Sequence, residues 1–191
     1  MRHFLFAFLA LLLFGCAALP ATSASDAQTQ PMEDASMPNH ASLPDLGPAP
    51  ELQNMIWLNT DSPLRLAGLR GKVVILEMWT FDCINCQHVI PSLKDWYSKY
   101  KDQGFVIIGN HFPEFPEERD LNNLKAAVKN YGIEYPIAQD NDGTTWWSYN
   151  NNYWPALYLI DKQGHIRYIH IGEGAYKETE NNIKALLAET N

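Results

Sequence analysis

Apolar side chains recur along this chain in two alternating rhythms. Val73, Val74, Ile75 and Leu76 form an unbroken run after Arg70-Gly71-Lys72, which predicts a strand buried on both faces and ending near Trp79. From Cys86 onward Val89, Ile90, Leu93, Trp96, Tyr97 and Tyr100 follow helical spacing, and Gly104 supplies the stop. Phe105 to Gly109 predicts a second buried strand. Glu117 to Tyr131 predicts a second helix, carried by Leu121, Leu124 and Val128 and ended by Gly132, and Tyr135 to Ala138 a short third strand. Strand and helix alternating in this order imply a parallel sheet with right-handed crossovers. The pattern then changes. Ala156 to Ile160 and Ile166 to Ile171 flank Asp161-Lys162-Gln163-Gly164, a hairpin signal, and Tyr176 to Leu187 closes the chain with an amphipathic helix.

The first half-hundred residues follow neither rhythm. An apolar run from Phe4 to Phe14, behind one Arg and one His, is too short to cross about 30 Å of hydrocarbon and reads as the core of a signal peptide over residues 1–24. Leu13-Phe14-Gly15-Cys16 resembles the lipobox of bacterial lipoproteins, in which cleavage before the cysteine leaves Cys16 to carry lipid. Cleavage after Ala21 or Ala24 is the competing reading, with Cys16 a passive residue of a discarded peptide. Ser25 to Pro50 is rich in Pro, Ala, Ser and acids and has no Lys, Arg or aromatic residue, so a flexible tether is expected over 25–50 and the folded domain over 51–191.

Composition narrows the function. The 191 residues are 46% hydrophobic and 19% charged, which suits one compact domain plus extensions. Lys and Arg number 14 against 22 Asp and Glu, a net charge of −8, and no basic run could track a phosphate backbone, so nucleic acid is not expected as a partner. The three cysteines are too few for a disulfide scaffold or a four-thiolate zinc site, and no metal site is expected. Two of them, Cys83 and Cys86, lie at the predicted strand-to-helix junction, where unpaired backbone N–H groups and the helix dipole stabilise a thiolate. Two intervening residues let one thiol attack what the other has bound. A static disulfide would close too short a loop to remove much chain entropy, and a zinc knuckle lacks a second ligand pair.

At these residues the sequence resembles the thioredoxin superfamily, and within it the exported TlpA/ResA-type thiol-disulfide oxidoreductases. The likeness runs over nearly all of Glu51 to Asn191 and begins with Leu69-Arg70-Gly71-Lys72-Val73-Val74-Ile75-Leu76 leading to Trp79. Trp79-Thr80-Phe81-Asp82-Cys83-Ile84-Asn85-Cys86, His111-Phe112-Pro113-Glu114-Phe115 and Tyr153-Trp154-Pro155-Ala156 look most like the thioredoxin domain of DipZ-type proteins. The resemblance implies an α/β, thioredoxin-like fold with a central mixed β-sheet flanked by helices. It implies that Cys83 is the nucleophile and Cys86 the resolving thiol, with no cofactor beyond the Cys83–Cys86 disulfide. Pro155 matches the cis-proline facing the dithiol, Trp79 the aromatic beside it, and Pro91 the proline inside the active-site helix; Trp154 joins Pro155 and Trp79 as a candidate client contact. Glu77 falls where thioredoxins bury an acid behind the second sulfur, and its pKa is expected to be raised.

The partners implied are exported client proteins with thiols or disulfides and a membrane electron donor, since DipZ-type proteins usually join this domain to a membrane electron carrier. The expected location is the periplasm or cell envelope of a bacterium, with membrane contact only through a lipid anchor. His111 and Glu114 follow the second strand at the sheet edge where such folds build their sites, and either border the dithiol or form a solvated loop pair. Two other functions compete. A Sco-like copper chaperone would use Cys83, Cys86 and His111 as soft ligands, although Sco-like sites space their thiols by three residues. A thiol peroxidase would use Thr80, three residues before Cys83, although the upstream proline of that pattern is replaced by Leu76.

Overall fold

The computed structural model describes residues 43–190. Its core is a six-stranded mixed sheet in the order β1-β4-β3-β2-β5-β6, from β1 (Ile56–Leu58), β2 (Val73–Trp79), β3 (Phe105–His111), β4 (Ile137–Gln139), β5 (Ala156–Ile160) and β6 (Ile166–Ile171). The central strand β2 runs parallel to β3 and antiparallel to β5, with Glu77 opposite Gly109 on one side and Leu157 on the other. All seven of its residues are buried, as its unbroken apolar run predicts. The helices are α1 (Ile84–Tyr100), α2 (Leu121–Tyr131), α3 (Thr144–Ser148) and α4 (Tyr176–Ala188).

Two apolar layers sandwich the sheet. Ile75, Trp79, Ile107, Leu157 and Leu159 point toward a layer that includes Cys86, Val89, Ile90, Leu93 and Trp96 of α1 and Ile183 and Leu186 of α4. Val74, Leu76, Met78, Ile108 and Tyr158 point the other way, toward Leu52, Leu66, Trp146 and Tyr149. Consecutive strand residues therefore feed opposite layers. Pro91 lies inside α1 and has no N–H to give the Gln87 carbonyl, while Val89, Ile90 and Leu93 on either side stay buried. Gly132 ends α2 in the left-handed region at φ 62°, where a side chain would be strained.

The elements predicted from the pattern all form, with shifted ends. β3 continues to His111, and β4 starts at Ile137 rather than Tyr135. Helix α2 starts at Leu121 rather than Glu117, because Asp120 caps it by accepting the N–H groups of Asn122 and Asn123; Pro116–Arg119 forms a separate 3-10 turn. The expected boundary between tether and domain also moves. Residues 43–50 lie against β6: Leu46 donates to Ile166 O at 2.9 Å, Pro48 bridges to His165, and Arg167 donates to the carbonyls of Leu43 and Pro44. Polar backbone there finds fixed partners, which composition could not reveal, and the fold begins before Glu51. The expected signal peptide, Cys16 and the tether before residue 43 lie outside the described residues. Among the described residues no helix is long and apolar enough to cross a membrane.

Candidate active site

The loop after β2 delivers Cys83 to the N-cap of α1, where its sulfur accepts the backbone N–H of Cys86 at 3.3 Å. Both cysteines are free thiols, Cys83 half-buried and Cys86 fully buried. The thiol hydrogen bond from Cys86, joined by the N–H groups of Cys86 and Asn85, lowers the Cys83 pKa to about 7 against burial and the charge of Glu114. Burial and donation to Cys83 push Cys86 far up. Near neutrality the outer sulfur is therefore the one that ionises, and the inner one keeps its proton.

Glu77 is fully buried in the middle of β2, on the face covered by α1. One carboxyl oxygen receives the Tyr135 hydroxyl at 3.4 Å and the other has no partner. Burial raises its pKa to about 8; the Tyr135 hydrogen bond opposes the shift and the Cys83 charge adds to it. The raised pKa expected from sequence is the one found. Trp79, two residues on, is also buried, its indole N–H unpartnered and its ring edge-on to His111 with centroids 5.3 Å apart. Gly109 leaves room for that indole: a Cβ at position 109 would sit 2.8 Å from Trp79 Nε1 and 2.6 Å from Ile137 Cδ1.

The Trp154–Pro155 peptide is cis. Ala156 pairs with Met78, so Pro155 sits at the same end of the sheet as Trp79 and the Cys83 loop. Trp154 donates its indole N–H to Phe112 O at 3.1 Å, stacks on Phe112 and packs at a tilt of 34° against Trp146.

His111 does not stand in a solvated loop. It is fully buried opposite Trp79, stacked on Phe81, with Nε2 3.2 Å from Thr80 Oγ. The single hydroxyl proton of Thr80 goes to the carboxylate of Glu118, so the histidine must donate through Nε2, which leaves Nδ1 as a buried acceptor without a partner. Burial lowers its pKa to about 4, against the charge of Glu118. Glu114 is near enough to Cys83 for its charge to act on the sulfur.

Glu118 is the residue that sequence reasoning missed. Fully buried, it accepts the Thr80 hydroxyl and the Asp82 N–H (3.1 Å) on one oxygen and the N–H groups of Glu114 (2.6 Å) and Phe115 (2.8 Å) on the other. Those donors overcome burial and hold its pKa below the usual range. Nothing in the local pattern separates it from Glu117 beside it.

These contacts also weigh the competing chemistries. A peroxidase needs the Thr80 hydroxyl free to face the sulfur of Cys83, but that group is buried and committed to Glu118. Copper held by Cys83, Cys86 and His111 would need the three side chains to converge on one point. Among the described residues no group of three His, Cys, Asp or Glu side chains is arranged to hold a metal ion.

A mixed sheet flanked by helices, with a dithiol at the first turn of the helix that follows the central strand, defines a thioredoxin-like protein. The chain belongs to the AhpC/TSA family, whose sequence profile matches residues 47–169. It is similar to Protein DipZ of Mycobacterium tuberculosis, 47% identical over 150 residues that make up 77% of this chain and 22% of that protein. The chain thus spans about a fifth of the length of that relative. It is also similar to thiol-disulfide oxidoreductase ResA of Bacillus thuringiensis, 31% identical over 64% of this chain and 68% of the relative. A crystal structure of a thioredoxin-like superfamily protein matches with a TM-score of 0.70 at 32% identity, covering 75% of this chain and 98% of the other.

Proposed function

We propose that the protein is an exported thiol-disulfide oxidoreductase that reduces client disulfides through Cys83 and Cys86. The observation that carries this reading is the asymmetry of the two sulfurs, one half-buried with a lowered pKa and one buried with a raised pKa. The Cys83 thiolate attacks a client disulfide, forming a mixed disulfide and releasing one client thiolate. Cys86 then loses its proton and attacks the Cys83 sulfur; the Cys83–Cys86 disulfide forms and the second client thiolate leaves. Two electrons have passed from the dithiol to the client, and a donor dithiol must return them. Glu77 is the base for the second step. The negative charge on Cys83 is one cause of its raised pKa, and forming the mixed disulfide removes that charge. Glu77 therefore ionises more readily at the stage when a base is needed.

In this reading Trp154, half-buried beside the cis-Pro155 peptide, is the client-facing aromatic; Trp79, expected from sequence as a client contact, is fully buried and backs the site instead, and no cofactor beyond the disulfide is required. Clients are exported proteins with thiols or disulfides, a reading supported by the likeness to ResA, and the electron donor is a membrane protein. Location in a bacterial envelope, with Cys16 as lipid anchor, rests on the residues of the amino-terminal segment; detergent partitioning unchanged in Cys16→Ser would remove the anchor. The central test is trapping. Cys83→Ser should abolish insulin reduction, whereas Cys86→Ser should accumulate mixed disulfides with insulin. Equal trapping by both variants would refute the assigned roles.

A further inference from the structure

Glu118 lies between two chain segments that both reach the dithiol. One is Thr80 to Cys83, which carries the nucleophile; the other is Glu114 to Glu118, which carries Phe115, 46% exposed, and Glu114, whose charge is felt at Cys83. Each oxygen of the carboxylate serves one segment: Thr80 and Asp82 bind one, Glu114 and Phe115 the other. The bond to Thr80 crosses 38 positions of sequence, from the β2–α1 loop to the turn after β3. Hydrogen bonds to a buried carboxylate are among the stronger ones a protein makes. Cys83 itself needs none of them, since its sulfur is set by Cys86 and the first turn of α1.

We propose that Glu118 is a positioning residue that locks the nucleophile loop and the 114–118 segment into one client-binding frame, so that a protein disulfide held against Phe115 and the exposed Ile84 is presented to Cys83. The assignment rests on the oxidoreductase reading and adds the element that makes the site selective for protein disulfides over small ones. A glutamine at position 118 keeps the shape but has only one acceptor oxygen. Its amide nitrogen would face N–H donors on the other side, so the variant can hold one segment and must release the other.

The test measures two substrates, insulin as the protein disulfide and oxidised glutathione as the small one, with wild type, Glu118→Gln, Thr80→Val and Thr80→Ser. Glu118→Gln and Thr80→Val should raise KM for insulin by about fivefold or more while the rate with oxidised glutathione stays within about twofold, and Thr80→Ser, which restores the hydroxyl, should return to the wild-type KM. An unchanged insulin KM in Glu118→Gln overturns the lock. So does a parallel fall with both substrates, which would place the effect on the sulfur or on the fold. Failure of the wild-type protein to reduce either substrate would instead sink the oxidoreductase reading, so the two failures are distinct.

Discussion

Two of the buried acids, Glu77 in β2 and Asp140 just past β4, are treated in opposite ways. Asp140 has every direction filled: Asn110 and the Trp146 N–H donate to one oxygen at 2.9 and 2.8 Å, and the Thr145 N–H to the other at 3.2 Å. Asn54 extends the cluster to Asn110, the Gln139 carbonyl and the Thr145 hydroxyl. Glu77 has one long hydrogen bond and a bare oxygen. Their neighbours on β3 divide the same way. Asn110 joins the satisfied cluster on one face, while His111 on the other keeps an unpartnered nitrogen. Burial raises both acids, but donors offset the rise at Asp140, and only Glu77 is carried to about 8. A saturated carboxylate stitches segments together. An under-solvated one beside a dithiol is free to exchange a proton, and the unsatisfied oxygen of Glu77 and nitrogens of Trp79 and His111 lie on the sheet face that α1 covers.

Substituting each acid should separate the two roles. Glu77→Gln should slow resolution of the mixed disulfide by about a hundredfold, with the initial attack by Cys83 changed far less, read by stopped-flow fluorescence. It should also change stability with a definite sign. The folded pKa is raised from 4.5 to about 8, so the contribution of Glu77 is fully present below the lower value and is lost as pH rises through the upper one. Urea melts should show the variant gaining on wild type by several kcal/mol above that window. Asp140→Ala, by contrast, strands the Asn110 amide and the N–H groups of Thr145 and Trp146. It should cost about 3 kcal/mol of stability while leaving the exchange rate of the folded protein unchanged. If Asp140→Ala slows resolution as Glu77→Gln does, the division between stitching and chemistry is wrong.

Much of the chemical side of this comparison was legible in sequence, because it rests on local signals. The apolar run of β2, the helical spacing after Cys86 and the two-residue gap between the thiols are each contained in a few consecutive residues. Glu77 could be found because an acid between Leu76 and Met78 is out of place in a buried strand. The stitching side was not legible. Asn54, Asn110, Asp140 and Thr145 are ordinary polar residues whose bonds to one another's side chains span 30 to 91 positions. β1 has only three residues and none fully buried; its pairing comes from β4, 79 to 83 positions on by the register Ile56 to Gln139 and Leu58 to Ile137. Glu118 belongs to the same class, chosen over Glu117 by where Thr80 and Asp82 end up. Residues 43–50 look like linker until Arg167 and the edge of β6 supply donors and acceptors for them.

The smallest expected effect isolates His111. Its folded pKa is lowered from 6.5 to about 4, so the unfolded chain takes up a proton first as pH falls, and stability is lost between those values. Glu77 acts in the opposite direction over the overlapping part of that range, because the folded protein there holds a proton on Glu77 that the unfolded chain has lost. In wild type the two slopes offset between about pH 4.5 and 6.5, and stability should be nearly flat there. His111→Gln keeps a donor for Thr80 and removes the titration, so its stability should keep rising as pH falls toward 4.5, by on the order of 2 kcal/mol across the window. Glu77→Gln should unmask the other arm and lose stability over the same interval. Slopes rather than absolute stabilities decide the matter, because His111→Gln also loses its stacking on Phe81. Melts at half-unit pH steps provide the measurement. A slope in His111→Gln identical to wild type would mean that the imidazole takes up protons as readily in the folded protein as in the unfolded chain, and that its unpartnered nitrogen is reached by solvent after all.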